Sequence, residues 1–307
     1  MTAGGPYPGR VVASHGRHVE VETDDGRRLL CHPRGKKNQA VVGDRVWWQP
    51  SGDEGSIEQV QPRRNLFYRQ DDTRTKSFAA NVDQVLVLLA AEPEFSEQQL
   101  ARALIAAEAQ DIRALIGLNK SDLAAAHARA WERLQPYRRM GYTVLPLCLH
   151  DPACEPALAA LRGELAGRVT LVLGPSGVGK STLINRLAPG AQAATGEISR
   201  ALHSGRHTTT STRWYWLDAT RHSALIDSPG FQEFGLRHIE ASALAALMPD
   251  LRAHLGQCRF YNCTHLHEPG CAVIAAVGQP PDRQGIDPGR YRIYSELYQE
   301  LAQPPRY

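Results

Sequence analysis

The amino-acid sequence predicts an α/β protein in which a parallel sheet wrapped by helices follows a small OB-type β-barrel and precedes a helical, metal-binding domain. Three observations in the 307 residues support this fold class. Short β-like runs separated by turn residues fill residues 9–68. From residue 82 onward, runs of strand and helix character alternate. Three cysteines and two histidines then fall within residues 258–271.

The N-terminal segment has the pattern of a small barrel. Asp24-Asp25-Gly26 marks a hairpin turn between two of its β-like runs. Five such runs in about sixty residues are typical of an OB-type barrel; they fall at residues 10–13, 19–23, 28–31, 41–48 and 55–60. Residues 71–77 are polar and basic without periodicity, which predicts a flexible connection to the next domain. The first domain is therefore placed at residues 1–70.

The central segment alternates strands with helices, the signature of a parallel sheet covered on its faces. Strands are predicted at residues 85–90, 114–118, 143–147 and 169–173, helices at 96–110, 123–140 and 155–165, and a hairpin at 213–217 and 223–226. This gives a second domain over residues 71–239. The C-terminal domain, residues 240–307, should contain helices over 240–255 and near 291–301.

Composition excludes several classes of protein. With 42% hydrophobic and 22% charged residues the chain should be globular. Residues 1–10 lack the apolar stretch of a signal peptide, and the longest apolar run, residues 85–91, is too short to span a bilayer. We therefore expect a cytoplasmic protein without membrane contact. The net charge of +3 comes from residues 1–80, which hold 13 Lys/Arg against 10 Asp/Glu.

A phosphate-binding loop follows the strand at residues 169–173. The segment matches G-x-x-x-x-G-K-S between a strand and a helix, and its residues are Gly174, Pro175, Ser176, Gly177, Val178, Gly179, Lys180 and Ser181, followed by Thr182. Its glycines let backbone N–H groups turn toward phosphate oxygens at the start of the helix. Lys180 would reach the β- and γ-phosphates, and the Ser181 hydroxyl would bind Mg²⁺. We predict that residues 174–182 bind nucleotide.

Two further motifs complete a guanine-nucleotide site. Asp227-Ser-Pro-Gly230 ends a strand like the D-x-x-G of GTPases, with Asp227 near Mg²⁺ and the Gly230 N–H near the γ-phosphate. Asn119-Lys120-Ser121-Asp122 follows the strand at residues 114–118. The Asp122 carboxylate can accept from guanine N1–H and N2–H, whereas adenine offers no such donor pair and would leave the carboxylate unpaired. These motifs predict GTP as the nucleotide.

A switch threonine that ligates Mg²⁺ is expected between the phosphate loop and D-S-P-G. Three consecutive threonines follow His207, and of these we favour Thr209. Phe231 follows Gly230 where Ras-like enzymes place the water-orienting glutamine, so intrinsic hydrolysis should be slow. His207 is the nearest candidate to orient water, and a surface or structural role for it stays open.

The motif order is circularly permuted, because N-K-S-D precedes the phosphate loop. Such a site survives permutation since it is assembled from the C-terminal ends of neighbouring parallel strands. The chain resembles circularly permuted GTPases, and closely resembles the bacterial ribosome small-subunit-dependent GTPase family. The resemblance covers nearly the whole chain and rests on V-G-D-R-V at residues 42–46, N-K-S-D, the phosphate loop, G-R-H-T-T-T at 205–210, D-S-P-G and the cysteine cluster.

The resemblance implies a function and its partners. Members bind the small ribosomal subunit in the GTP state during late assembly, hydrolyse GTP with stimulation by the subunit, and then dissociate. It also implies an OB barrel that contacts ribosomal RNA, for which Arg34, Lys36 and Lys37 are the candidate residues. We expect a monomer. Where such GTPases carry a Ser-Ala pair beside the base, this chain has Leu147-Cys148-Leu149, and we assign no base contact there.

The cysteine cluster should hold one structural Zn²⁺ with no position left for substrate. Cys258, Cys263 and Cys271 supply three thiolates. His265 and His267 compete as the fourth ligand, and the family pattern favours His265. A small C-terminal domain with few long apolar stretches needs such a cross-link to fold.

Two rival functions stay open at this point. A phosphate loop alone also suits a small-molecule kinase or an ATPase, against which N-K-S-D argues. Alternatively, the protein is chiefly an RNA-binding assembly scaffold with nucleotide as a stabilising ligand.

Overall fold

The computed structural model describes residues 5–16, 18–34, 40–151, 154–188, 191, 211–230 and 234–304. Its strands are β1 Tyr7–His15, β2 His18–Glu22, β3 Arg28–Pro33, β4 Arg45–Ser51, β5 Glu54–Val60, β6 Leu66–Gln70, β7 Thr75–Ala80, β8 Gln84–Ala90, β9 Arg113–Asn119, β10 Thr143–Pro146, β11 Val169–Leu173, β12 Arg213–Trp216 and β13 Ala224–Asp227. Its α-helices are α1 Glu97–Glu108, α2 Ala124–Arg133, α3 Gln135–Arg139, α4 Glu155–Leu165, α5 Lys180–Leu187, α6 Pro249–Arg252, α7 Ala272–Ala276 and α8 Pro288–Ala302, with 3-10 helices at Ala241–Leu247 and Pro281–Arg283.

Strands β1 to β5 form a closed five-stranded barrel, which confirms the OB-type prediction. Going around the barrel the order is β1-β2-β3-β5-β4, and β4 returns to pair with β1. The side chains of alternate residues point into the barrel, so Trp48 is buried whereas Trp47 is 36% exposed. Asp44, fully buried, accepts from Arg63 Nε at 2.7 Å and from the Val41 N–H at 2.8 Å. This pair ties the V-G-D-R-V motif to the segment that leaves the barrel.

Residues 71–77 are not the flexible connection that the sequence predicted. They belong to an antiparallel hairpin of β6 and β7, whose strands lie on either side of the predicted domain boundary at residue 70. Phe67 and Phe78 are buried there against Phe234, with ring centroids 5.8 and 6.0 Å from it. The hairpin is stabilised by a residue far away in sequence, which explains why local polarity was misleading.

The central sheet has the order β10-β9-β8-β11-β13-β12, and its first five strands run parallel. All seven residues of β8 are buried because the strand lies inside the sheet with both faces covered. Strand β11, which precedes the phosphate loop, lies between β8 and β13. The carboxyl ends of these neighbouring strands therefore meet at one edge, as a permuted GTPase requires.

Two predicted helices are broken at prolines. The helix expected over residues 123–140 is divided into α2 and α3, with Pro136 in the first turn of α3. The helix expected over residues 240–255 is a 3-10 helix followed by α6, which begins at Pro249. Proline lacks the N–H that a continuous helix would need and is best accommodated in a first turn. None of the helices among the described residues is long and apolar enough to cross a membrane.

The barrel joins the central sheet through β12. Ala13 of β1 pairs with Arg213 of β12. The Arg10 guanidinium lies over the rings of Trp214 and Trp216, 4.6 and 4.9 Å from their centroids. Burial and the neighbouring Arg45 lower the pKa of Arg10 to about 10, which leaves it charged at neutral pH. This cation–aromatic cluster connects the barrel to the strand that pairs with β13.

The C-terminal domain packs on the central domain through its last helix. Arg290 of α8, 3% exposed, pairs with Asp250 at 3.0 Å, and its guanidinium lies 5.0 Å from the centroid of the Tyr137 ring. Arg237 pairs with Asp72 of the β6–β7 hairpin at 2.6 Å and donates to the Glu300 carbonyl at 2.8 Å. The chain after D-S-P-G thus contacts both the hairpin and the C-terminal helix.

Candidate nucleotide site and metal centre

The phosphate loop is shaped by glycines between β11 and α5. Gly174 has φ 154°, and a Cβ there would lie 2.4 Å from the Leu88 carbonyl oxygen. Gly179 has φ 105° and begins α5, where a Cβ would lie 2.5 Å from Asn119 Nδ2. Both positions combine a left-handed conformation with close packing, which only glycine accommodates. The loop therefore turns tightly enough to direct N–H groups toward an anion.

Lys180 folds back over its own loop. Its Nζ donates to the carbonyls of Gly174 and Pro175, each at 2.8 Å. Burial lowers the pKa of Lys180, and the nearby Asp227 carboxylate partly opposes that effect. The ammonium group is thus held at the mouth of the loop, from which it can exchange two carbonyls for phosphate oxygens.

The D-S-P-G segment closes on the phosphate loop. Asp227, 5% exposed, ends β13 opposite Val172 of β11, and the Ser228 hydroxyl donates to the Val172 carbonyl at 2.8 Å. A Cβ on Gly230 would lie 3.3 Å from Lys180 Nζ and 3.4 Å from the Ser176 nitrogen. This approach brings the predicted Mg²⁺ and γ-phosphate groups to the loop that should hold the phosphates.

Asn119 of the N-K-S-D motif links three segments of the site. Its Nδ2 donates to the Val178 carbonyl at 2.8 Å, and its Oδ1 accepts from the Leu149 N–H at 3.2 Å. Lys120, with φ 67°, donates through Nζ to the Glu92 carbonyl at 2.6 Å. The motif thereby fixes the phosphate loop and the segment after β10 relative to each other.

Sequence reasoning missed the part that residues 147–149 play in this site. Cys148, 3% exposed, donates its S–H to Asp122 Oδ1 at 3.4 Å. The Leu147 carbonyl accepts from the Ser121 N–H at 3.1 Å. The sequence did contain one signal for this role, which is the position of the segment. It directly follows β10, the strand that pairs with β9, and must therefore reach the same edge of the sheet.

Four of the predicted site residues lie outside the part of the chain that the structure describes: Thr209, His207, Lys36 and Lys37. Arg34 is exposed and pairs with Glu58 at 2.7 Å.

The predicted metal ligands come together in the C-terminal domain. The ligand atoms of Cys258, Cys263, His265 and Cys271 all lie within 4.8 Å of one another. Cys258 Sγ is 3.8 Å from Cys271 Sγ and 3.5 Å from His265 Nδ1. Thiolates held at about 2.3 Å from a tetrahedral Zn²⁺ lie about 3.8 Å apart, so this donor set fits such an ion. His265, and not His267, occupies the fourth position.

Hydrogen bonds hold the loop that carries these ligands. Glu268 accepts from the Thr264 hydroxyl at 2.5 Å, from the Thr264 N–H at 2.7 Å and from the His267 N–H at 3.2 Å. Burial alone would raise the pKa of Glu268, but these bonds outweigh it and hold that pKa well below its usual range. Tyr291 and Tyr294 of α8 donate to the carbonyls of His265 and Thr264, each at 2.8 Å. The cluster is therefore preorganised by the C-terminal helix.

The fold and the assembled motifs define a circularly permuted GTPase of the phosphate-loop class. Residues 60–237 match the family model described as RsgA GTPase. The chain belongs to the RsgA GTPase family and is a GTP hydrolase.

Relatives and solved structures agree with this assignment. The protein named small ribosomal subunit biogenesis GTPase RsgA from Variovorax paradoxus (strain S110) is 67% identical over 97% of this chain and 93% of its own length. The crystal structure of YjeQ from Thermotoga maritima has a TM-score of 0.73 at 28% identity and covers 97% of this chain and 99% of its own. YloQ, described as a circularly permuted GTPase, has a TM-score of 0.70 at 27% identity, covering 100% and 99%.

Proposed function

We propose that this protein hydrolyses GTP in the late assembly of the small ribosomal subunit. It binds the subunit in the GTP state, hydrolyses GTP with stimulation by the subunit, and then dissociates. The observation that carries this proposal is the name of the 67% identical relative, small ribosomal subunit biogenesis GTPase. The nucleotide site, whose motifs meet at one edge of the sheet, supports it. We place this activity in the cytoplasm, where bacterial subunits are assembled, and propose a monomer.

In the nucleotide site, residues 174–182 cradle the phosphates and Lys180 neutralises the β- and γ-phosphates. Ser181, Thr209 and Asp227 would hold Mg²⁺, which would offset negative charge on the phosphates. The Gly230 N–H meets the γ-phosphate. His207 orients the attacking water when the subunit is bound.

Guanine is selected by Asn119, Lys120 and Asp122. The Asp122 carboxylate accepts from N1–H and N2–H of the base, whereas Asn119 fixes the geometry between the base and phosphate halves of the site. The bonds of Asn119 to Val178 and Leu149 support this role.

The C-terminal metal is Zn²⁺ and its role is structural. Three thiolates and one imidazole saturate a tetrahedral ion and leave no open position for substrate. We further propose the division into domains at residues 1–70, 71–239 and 240–307.

The barrel binds ribosomal RNA through Arg34, Lys36 and Lys37. RNA phosphates are met largely by Lys and Arg, and OB barrels use loops and an exposed face for this purpose. In free protein Arg34 is engaged by Glu58, so RNA binding has to replace that exposed ion pair, which is worth little.

The test measures GTP hydrolysis with and without purified small subunits, at matched nucleotide and two salt concentrations. We expect slow hydrolysis alone, strong stimulation by subunits, and loss of both with Lys180→Ala. A triple variant with Arg34, Lys36 and Lys37 changed to alanine should keep the basal rate and lose stimulation. A triple variant with the exposed Arg139, Arg162 and Arg283 changed to alanine is the matched control for lost charge. Equal hydrolysis with and without subunits would refute the proposal, and unchanged subunit binding and release by Lys180→Ala would favour a scaffold.

A further inference from the structure

A pair of thiols lies beside the carboxylate that we assign to guanine. The ligand atoms of Cys148, Asp151 and Cys154 all lie within 4.8 Å of one another. Cys148 is buried, and Cys154 is partly accessible at the beginning of α4. In the described residues, this is the second place where cysteine sulfurs come together, and it lies outside the proposed zinc centre.

The Cys148 side chain is hydrogen-bonded to Asp122, and it also lies close to Cys154. Its S–H donates to Asp122 Oδ1 at 3.4 Å. The backbone on either side is held, because the Leu147 N–H donates to the Leu118 carbonyl at 2.8 Å and the Leu149 N–H to Asn119 Oδ1 at 3.2 Å. Cys148 therefore lies in a segment whose backbone is held on both sides.

We propose that Cys148 and Cys154 form a reversible disulfide that weakens guanine-nucleotide binding. The inference rests on the proposed role of Asp122 and adds redox regulation to that site. The reaction needs a peroxide: two S–H bonds and one O–O bond break, one S–S bond forms, and hydrogen peroxide is reduced to two molecules of water. A thiol such as dithiothreitol reverses it by exchange.

Bond formation changes the guanine site in two ways. A disulfide holds its sulfurs about 2.05 Å apart, so the Cys148 sulfur must turn toward Cys154 or α4 must approach. In either case the thiol proton that Asp122 accepts is lost. Because this bond holds the Asp122 carboxylate in position for the base, its loss should reduce the affinity for GDP by about fivefold.

The pair should respond to sustained exposure to peroxide. The hydrogen bond with Cys148 raises the pKa of Cys154 to about 11, so little thiolate is present at neutral pH. Since thiolate is the reacting form, oxidation is slow compared with that of a low-pKa sensor cysteine. The two thiols therefore stay reduced in a reducing cytoplasm and form the disulfide only under prolonged oxidation.

The experiment uses the full-length, zinc-loaded protein and a fluorescent GDP analogue. Peroxide-treated protein should show a peptide cross-link between Cys148 and Cys154 by mass spectrometry and about fivefold weaker GDP binding, both reversed by dithiothreitol. Cys154→Ser should bind GDP normally and lose the response to peroxide. Cys31→Ser, which removes a buried thiol of the barrel, is the matched control and should respond like the native chain.

The outcomes separate this inference from the function on which it depends. Absence of the cross-link, or an affinity loss that persists in Cys154→Ser, would overturn it. An affinity loss that follows added Zn²⁺ without peroxide, with no cross-linked peptide, would replace the disulfide with a metal site. If the reduced protein bound ATP as tightly as GTP, the guanine assignment itself would fail, whether or not the disulfide forms.

Discussion

Phe234 should anchor the chain after D-S-P-G to the rest of the central domain. The side chain is 2% exposed and packs against Phe67 and Phe78 of the β6–β7 hairpin, and its carbonyl accepts from Arg102 at 3.2 Å. Phe234→Ala removes an entire buried aromatic ring and leaves a cavity beside two others. Such substitutions cost about 3–5 kcal/mol.

This loss is a large fraction of the stability of a typical protein, which is about 5–15 kcal/mol. The melting temperature of Phe234→Ala should fall by about 5–10 °C, measured by circular dichroism in the presence of GDP. Phe260→Ala is the matched control, because the same atoms are removed from a ring that is 42% exposed; its melting temperature should change little. A shift of less than 2 °C for Phe234→Ala, or equal shifts for both variants, would refute the anchoring role.

Three further predictions concern the nucleotide, the metal and the domain contact. Asp122→Asn should shift preference from GTP toward xanthosine triphosphate, measured by competition, because the amide can donate to the extra carbonyl of xanthine; unchanged preference would contradict the assignment. Cys263→Ser should contain less than the one zinc per chain expected in the native protein, by metal analysis, and should lose helical signal from the C-terminal domain; a full zinc complement would argue against this ligand set. Arg290→Met leaves Asp250 buried without its partner and should destabilise the protein by about 3–5 kcal/mol in urea unfolding, whereas Arg292→Met, next but one on the same helix, should have no measurable effect.

The sequence predicted those parts of the fold whose signals are local. Alternating strands and helices, the barrel strands and the phosphate loop depend on periodicity and on glycines that tight turns require. The hairpin of β6 and β7 escaped detection because Phe67 and Phe78 are stabilised by Phe234, which is distant in sequence. The breaks at Pro136 and Pro249 were predictable from proline chemistry alone, and the helical periodicity around them was given too much weight.

The candidate site was predictable to the extent that motifs carry it. The sequence motifs identified Asn119, Lys180 and Gly230 as site residues, and the structure brings their segments together. The bond from Cys148 to Asp122 could not be predicted, because it depends on the register between β9 and β10. A strand displaced by one residue would direct that thiol to the opposite face of the sheet.

The attachment of the barrel at β12 has a thermodynamic consequence. Through Ala13 and Arg10 the barrel contacts a strand that pairs with β13, and β13 ends at Asp227. If a ligand of the barrel changes the affinity for GTP by some factor, GTP must change the affinity for that ligand by the same factor. Substituting Trp214 or Trp216 should therefore change this factor equally for both ligands, so that the affinity for GTP measured with and without the ligand of the barrel gives the coupling between the two domains.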